Sequence, residues 1–200
     1  MATASKQIKQ AFSEPRPHQW TREEYYKMGE AGFFREKRVE LIEGEVMEMS
    51  PIYSLHATAV TIIDEVIRRF FAKGWVVRTQ NPLSLGVNSD PQPDIAIVAG
   101  KARDFKEAHP TTAALVIEIA DTTLPYDRKV KGSLYAKSEI ADYWIVNLQK
   151  RQVEVYRRPM IDASAKFGYS YADKKIFTEE EFVSPLAKPK TKIAVADLLP

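Results

Sequence analysis

Leu115-Val116-Ile117-Glu118-Ile119-Ala120 is apolar at every position but one. With Ala114 before it, the run reads as a central β-strand covered on both faces. A carboxylate ionised in that setting without a partner is very costly. Glu118 therefore calls for a cation, a metal ion or a raised pKa. A buried Arg or Lys beside it is the plain structural alternative.

Upstream, Gln92-Pro93-Asp94 opens a second apolar strand, Ile95-Ala96-Ile97-Val98. Taken alone, Asp94 reads as a turn residue. Twenty-four residues separate it from Glu118, enough for one strand, a connection and a neighbouring strand. Two carboxylates meeting on adjacent strands make an oxygen-rich site suited to Mg²⁺ or Mn²⁺. Such ions are held by one or two carboxylates, with water and phosphate completing the octahedron.

Further out, Thr21 with Glu24 three residues on predicts a capped helix from there to about Gly32. Val39–Ile42 and Val46–Met49 flank Glu43-Gly44, which predicts a hairpin with a tight turn. Apolar residues at Val60, Ile63, Val66, Ile67, Phe70 and Phe71 predict a helix from about Ser54 to Lys73, ended by Gly74. Strands are expected at Trp75–Gln80, Leu83–Leu85 and Asp94–Val98. A helix from about Tyr126 to Lys137 follows the Glu118 strand. Strands are then expected at Tyr143–Asn147 and Gln152–Arg157, around Tyr169 and Tyr171, and at Ile193–Val195. This interleaving predicts an α/β fold with a mixed sheet. Pro15 and Pro17 mark residues 1–19 as a flexible leader, with one domain expected over 20–200.

The 200 residues are 44% hydrophobic and 28% charged, with a net charge of +2. That balance permits nucleic-acid binding without arguing for it. The chain has no cysteine, which excludes disulfides, thiolate metal sites and cysteine nucleophiles. His18, His56 and His109 lack zinc-ligand spacing. Met1 to Gln10 has two lysines without an apolar run behind them and does not read as a secretory signal, and no stretch reaches the length needed to span a bilayer, so the expectation is a soluble cytoplasmic protein.

The helix after Glu118 carries Arg128, Lys129 and Lys131. Lys131 lies beside the apolar stripe of Val130 and Leu134 and is placed to lean toward the sheet. A solvated basic turn is the alternative for these charges. Arg68, Arg69 and Lys73, and separately Arg35, Lys37 and Arg38, are basic clusters that could meet phosphates. They too could be solvated surface.

Gln92-Pro93-Asp94 with Ile117-Glu118-Ile119-Ala120 resembles the PD-(D/E)XK nuclease pattern. The wider frame resembles the Uma-two family of restriction-endonuclease-like bacterial proteins. It runs through Val39-Glu40-Leu41-Ile42-Glu43-Gly44-Glu45, His56, Gln80-Asn81-Pro82-Leu83, Tyr126-Asp127-Arg128-Lys129-Val130-Lys131, Leu134-Tyr135-Ala136 and Tyr143-Trp144-Ile145-Val146. The resemblance implies a restriction-endonuclease-like mixed β-sheet flanked by helices, with an N-terminal helix and hairpin. It implies Asp94 and Glu118 as metal ligands, with Glu40 as a further acid near the metal. His56 and Gln80 are implied as cleft residues. The general pattern has a Lys two residues after the Glu, where this chain has Ala120. The resemblance moves that Lys onto the following helix, at Lys131.

The activity implied is Mg²⁺- or Mn²⁺-assisted hydrolysis of phosphodiester bonds in DNA. Lys131 would orient the attacking water or stabilise charge on the phosphate. A homodimer would suit cutting both strands of a duplex. Two other readings stand beside it. One is an inactive binding module on the nuclease scaffold. The other is a structural oligomer in which Tyr143, Trp144 and Tyr156 form core or a dimer face.

Overall fold

The computed structural model describes residues 15–200. The leader expected over 1–19 falls mostly on residues 1–14, outside the described residues. Thr21 caps the first helix, α1 (Arg22–Glu30). Its hydroxyl accepts from the Glu24 N–H at 3.3 Å, and the Glu24 carboxylate accepts from the Thr21 N–H at 2.9 Å. This is the capping box read from the sequence.

The hairpin of β1 (Val39–Ile42) and β2 (Glu45–Glu48) turns through Glu43 and Gly44, at φ 47° and 81°. Two successive positive φ values give the two-residue turn whose twist matches the strands. A Cβ on Gly44 would meet Gln19 at 2.6 Å, so both backbone angle and space require glycine there.

The main sheet has six strands in the spatial order β3 (Trp75–Thr79), β4 (Ile95–Ala99), β5 (Leu115–Ala120), β6 (Asp142–Asn147), β7 (Gln152–Ile161), β8 (Tyr169–Thr178). Only β5 and β6 are parallel neighbours. Their crossover carries α3 (Leu124–Tyr126), a wide helical turn over Asp127–Lys131, and α4 (Gly132–Lys137). Two further short strands, β9 (Phe182–Val183) and β10 (Ile193–Ala194), pair with each other.

Strand alternation divides the core in two. On one face, helix α2 (Ser54–Phe70) packs Val60, Ile63 and Ile67 over Ile97, Ile117, Ile119 and Trp144. On the other, Leu134, Tyr135 and Ile42 cover Ala96, Val116, Ala120 and Tyr143. Glu118 shares the parity of Val116 and Ala120, so it projects toward α4 rather than α2. Tyr143 and Trp144 are wholly buried and belong to the core.

Three sequence expectations need revision. Leu83–Leu85 is not a strand. The N–H groups of Leu83 and Ser84 donate to the carbonyls of Pro91 and Pro110, and that of Leu85 to Ser89. Leu83 and Leu85 are buried, which produced the apolar alternation without a ladder. The helix expected from Tyr126 begins at Leu124 and is interrupted by the wide turn. Strand β7 continues four residues past Arg157, because Pro159 to Ile161 still pair with β8.

On β7, Glu154 is fully buried yet strongly paired. It accepts from the Arg128 guanidinium, from Tyr156 Oη at 2.6 Å and from Lys174 Nζ at 3.0 Å. Burial raises its pKa, but these donors outweigh burial and hold the folded value at about 2 against an ordinary 4.5. A depressed folded pKa adds stability that is complete above 4.5 and is lost as pH falls toward 2. The gap corresponds to about 3 kcal/mol. Glu154→Gln should therefore unfold about 3 kcal/mol more easily in urea at neutral pH, with the deficit shrinking steadily below pH 4.5. A deficit that stays constant with pH would contradict this role.

Candidate active site

The register pairing Ile95 with Ile117 and Ala96 with Val116, carried one step further, sets Asp94 opposite Glu118. Each carboxylate accepts from the other's strand. Asp94 Oδ2 takes the Ile119 N–H at 2.9 Å, and Glu118 Oε2 takes the Asp94 N–H at 3.2 Å. The second Asp94 oxygen lies 3.0 Å from His56 Nε2, in the first turn of α2, and 3.3 Å from Gln80 Nε2. Gln80 follows β3 at φ 52°, a strained left-handed angle for a side chain of this kind. The hydrogen bond to Asp94 raises the His56 pKa, and burial opposes it.

Lys131 reaches the same face from the crossover. Its Nζ lies 2.6 Å from Glu40 Oε2 and 3.4 Å from Glu118 Oε1. Lysine and Glu40 are 1% and 0% exposed. Burial opposes the charge on Lys131, but Glu118 and Glu40 more than offset it and raise its pKa. Glu40 is fixed from three sides, since Gln92 N–H and Tyr126 Oη also donate to it. Tyr135 Oη donates to Glu118 at 2.6 Å.

Asp127 joins this cluster without having been singled out in the sequence. It is 5% exposed and accepts from Thr123 Oγ1 at 2.6 Å. Its available signal was the spacing to Lys131: residues four apart share a helix face. The turn between them is widened, with Gly132 N–H donating to Asp127 O. Wide turns of this kind concentrate at functional sites.

These groups border a cleft of about 100 Å³, which His56, Asp94, Glu118, Asp127 and Lys131 line together. Glu40 and Gln80 stand behind that lining, through Lys131 and Asp94. Arg38 also lines the cleft. The other basic side chains of the two early clusters are partly neutralised: Arg68 pairs with Asp64 and Lys37 with Glu48.

Among the described residues, no three His, Asp or Glu side chains converge as a ready-made ion cage. The donor set nonetheless fits a divalent cation bound by two ligands. Asp94 and Glu118 offer hard oxygens. Burial raises the pKa of Glu118 and of Asp127, so the pocket holds more carboxylate than Lys131 compensates.

A mixed sheet bearing paired acids and a lysine at one cleft has the architecture of restriction-endonuclease-like nucleases. A structure described as "a putative nuclease belonging to DUF820", from Anabaena variabilis ATCC 29413, shares the fold with a TM-score of 0.59. Identity is 17%, over 82% of this chain and 90% of that one. The model of the Uma2 family, described as "Putative restriction endonuclease", matches residues 22–196, and the chain belongs to that family. No curated protein matches it. Among the described residues, no helix is long and apolar enough to cross a membrane.

Proposed function

We propose that this protein is a metal-dependent endonuclease that hydrolyses phosphodiester bonds in DNA at the Asp94–Glu118 cleft. The observation carrying the reading is the pairing of those two carboxylates across β4 and β5, with the Lys131 ammonium 3.4 Å from Glu118. Asp94 and Glu118 would hold a Mg²⁺ or Mn²⁺ ion, which supplies Lewis-acid polarisation of a phosphate oxygen and acidifies water.

The chain's own residues do the rest. His56 and Gln80 hold one oxygen of Asp94, and the Ile119 N–H holds the other. Tyr135 holds Glu118. Glu40 anchors Lys131, whose fixed positive charge favours the extra negative charge that builds on the phosphate in the transition state. Burial of that lysine strengthens the effect, because few waters compete for its field.

Chelation of divalent ions with EDTA is expected to stop cleavage of plasmid DNA, and excess Mn²⁺ to restore it. Undiminished cutting in EDTA would overturn the metal requirement. The alternative, an inactive module on this scaffold, predicts neither cleavage nor a Mn²⁺ binding isotherm in calorimetry.

A further inference from the structure

A large groove lies across the crossover helix from the cleft. It encloses about 690 Å³ between α4 and the long β7–β8 hairpin, within the roughly 300–1,000 Å³ common for ligand sites. Its walls carry Arg128, Lys129, Lys166 and Lys174, and no carboxylate lines it among the described residues. Among the described residues, Glu154, buried beneath, is the acid that pairs with them, through Arg128 and Lys174. Four cations over one acid contrast with +2 for the entire chain.

The floor is aromatic. Tyr156 and Tyr171 line it with ring centres 6.0 Å apart, and both pack on the core residue Tyr143 beneath. Tyr171 Oη is fixed on the Ile140 carbonyl at 2.8 Å. Tyr169, half-buried at the groove, is held through its carbonyl by Ser133. Ser133 also accepts from the Phe167 N–H, tying the hairpin end to α4. The Tyr169 ring, on a backbone fixed by Ser133 and among ammonium groups, matches a base that stacks and phosphates that need neutralising.

The groove and the cleft share one helical turn. Asp127 and Lys131 face the cleft, while Arg128 and Lys129 face the groove. A helix is about 10–12 Å across, so a strand leaving the cleft reaches the groove within a few nucleotides. We infer that this groove binds a single-stranded segment of the DNA substrate, stacking bases on Tyr169 and pairing phosphates with Lys129 and Lys166. An unstacked strand is required, because the Tyr169 ring must reach the flat faces of the bases. The inference rests on the nuclease reading for its substrate.

Binding of fluorescein-labelled oligothymidylate, followed by anisotropy in EDTA, tests the groove without hydrolysis. Lys129 and Lys166 have no acidic partner among the described residues, so reversing both charges spares the fold. The double variant Lys129→Glu/Lys166→Glu should bind at least about tenfold more weakly and lower the log–log salt slope by about 1.4. Tyr169→Leu should weaken binding about tenfold with the slope unchanged. A self-complementary duplex should bind the parent less tightly than the single strand. Parent-like affinity in the charge-reversed variant, or an insensitive Tyr169→Leu, overturns the inference. So does a preference for duplex. Cleavage that persists while these variants bind normally removes the groove alone. Groove binding by a protein that cuts nothing in Mn²⁺ removes the nuclease reading alone.

Discussion

Asp94→Asn should reduce Mn²⁺-dependent DNA cleavage by about 10³-fold or more, a rise of about 4 kcal/mol in the barrier. The fold should survive. Asparagine keeps an oxygen for the Ile119 N–H, which now donates to Asp94 at 2.9 Å, so that backbone donor keeps its acceptor. The new amide NH2 faces His56 and Gln80, which are half-buried and can accept from it by a change of tautomer and an amide flip. Glu118→Gln should lose activity to a similar extent but differ in stability. The raised folded pKa of Glu118, about 8, lies above its ordinary 4.5. Ionising it therefore costs folding free energy as pH rises from 4.5 toward 8. Lys131 still keeps Glu40 at 2.6 Å when that charge is removed. The metal-free Gln variant should accordingly melt above the parent at pH 8. Added Mn²⁺ should raise only the parent, because a ligand of the native state stabilises it by mass action. An Asp94→Asn or Glu118→Gln enzyme that cuts like the parent would refute their role as ligands.

Lys131→Met should have the largest structural effect. It leaves Glu40, wholly buried, and Glu118 without their shared cation. Breaking a buried pair in this way costs about 3–5 kcal/mol. The same substitution should slow cleavage strongly while Mn²⁺ still binds Asp94 and Glu118. Adding Glu40→Gln separates the two losses. The double variant no longer buries the orphaned Glu40 charge and should recover most of the stability, but not the rate. Urea unfolding and single-turnover cleavage read the two quantities. A Lys131→Met protein as stable as the parent would contradict the burial argument. A double variant with parental rates would contradict the catalytic one.

What the sequence disclosed follows the strength of local signals. Glu118 was legible because an apolar run has one residue that does not belong. Asp94 followed from the distance to it and from the strand it opens. The lean of Lys131 toward the sheet was readable from its position beside Val130 and Leu134. Asp127 was missed, because in a charged stretch its spacing of four from Lys131 alone does not mark it as the buried acid. Its inward turn depends on a widened helix that no residue pattern announces. The basic groove was hidden for a different reason. Lys129, Lys166 and Lys174 come from the crossover turn, the β7–β8 loop and β8, so they never form a run, whereas of the visible clusters Arg68 and Lys37 are paired with Asp64 and Glu48. Leu83-Ser84-Leu85 shows the converse error. Its alternation reflects burial of two leucines, while its backbone bonds to loops.

The sheet that brings Asp94 opposite Glu118 is the structural basis for the activity proposed. A crystal of the protein soaked in Mn²⁺ and measured at the manganese absorption edge tests that basis most directly. The account predicts an anomalous peak between the Asp94 and Glu118 carboxylates, on the cleft side of Lys131, that is absent from the Asp94→Asn crystal. A peak elsewhere, or none at saturating Mn²⁺, would contradict it.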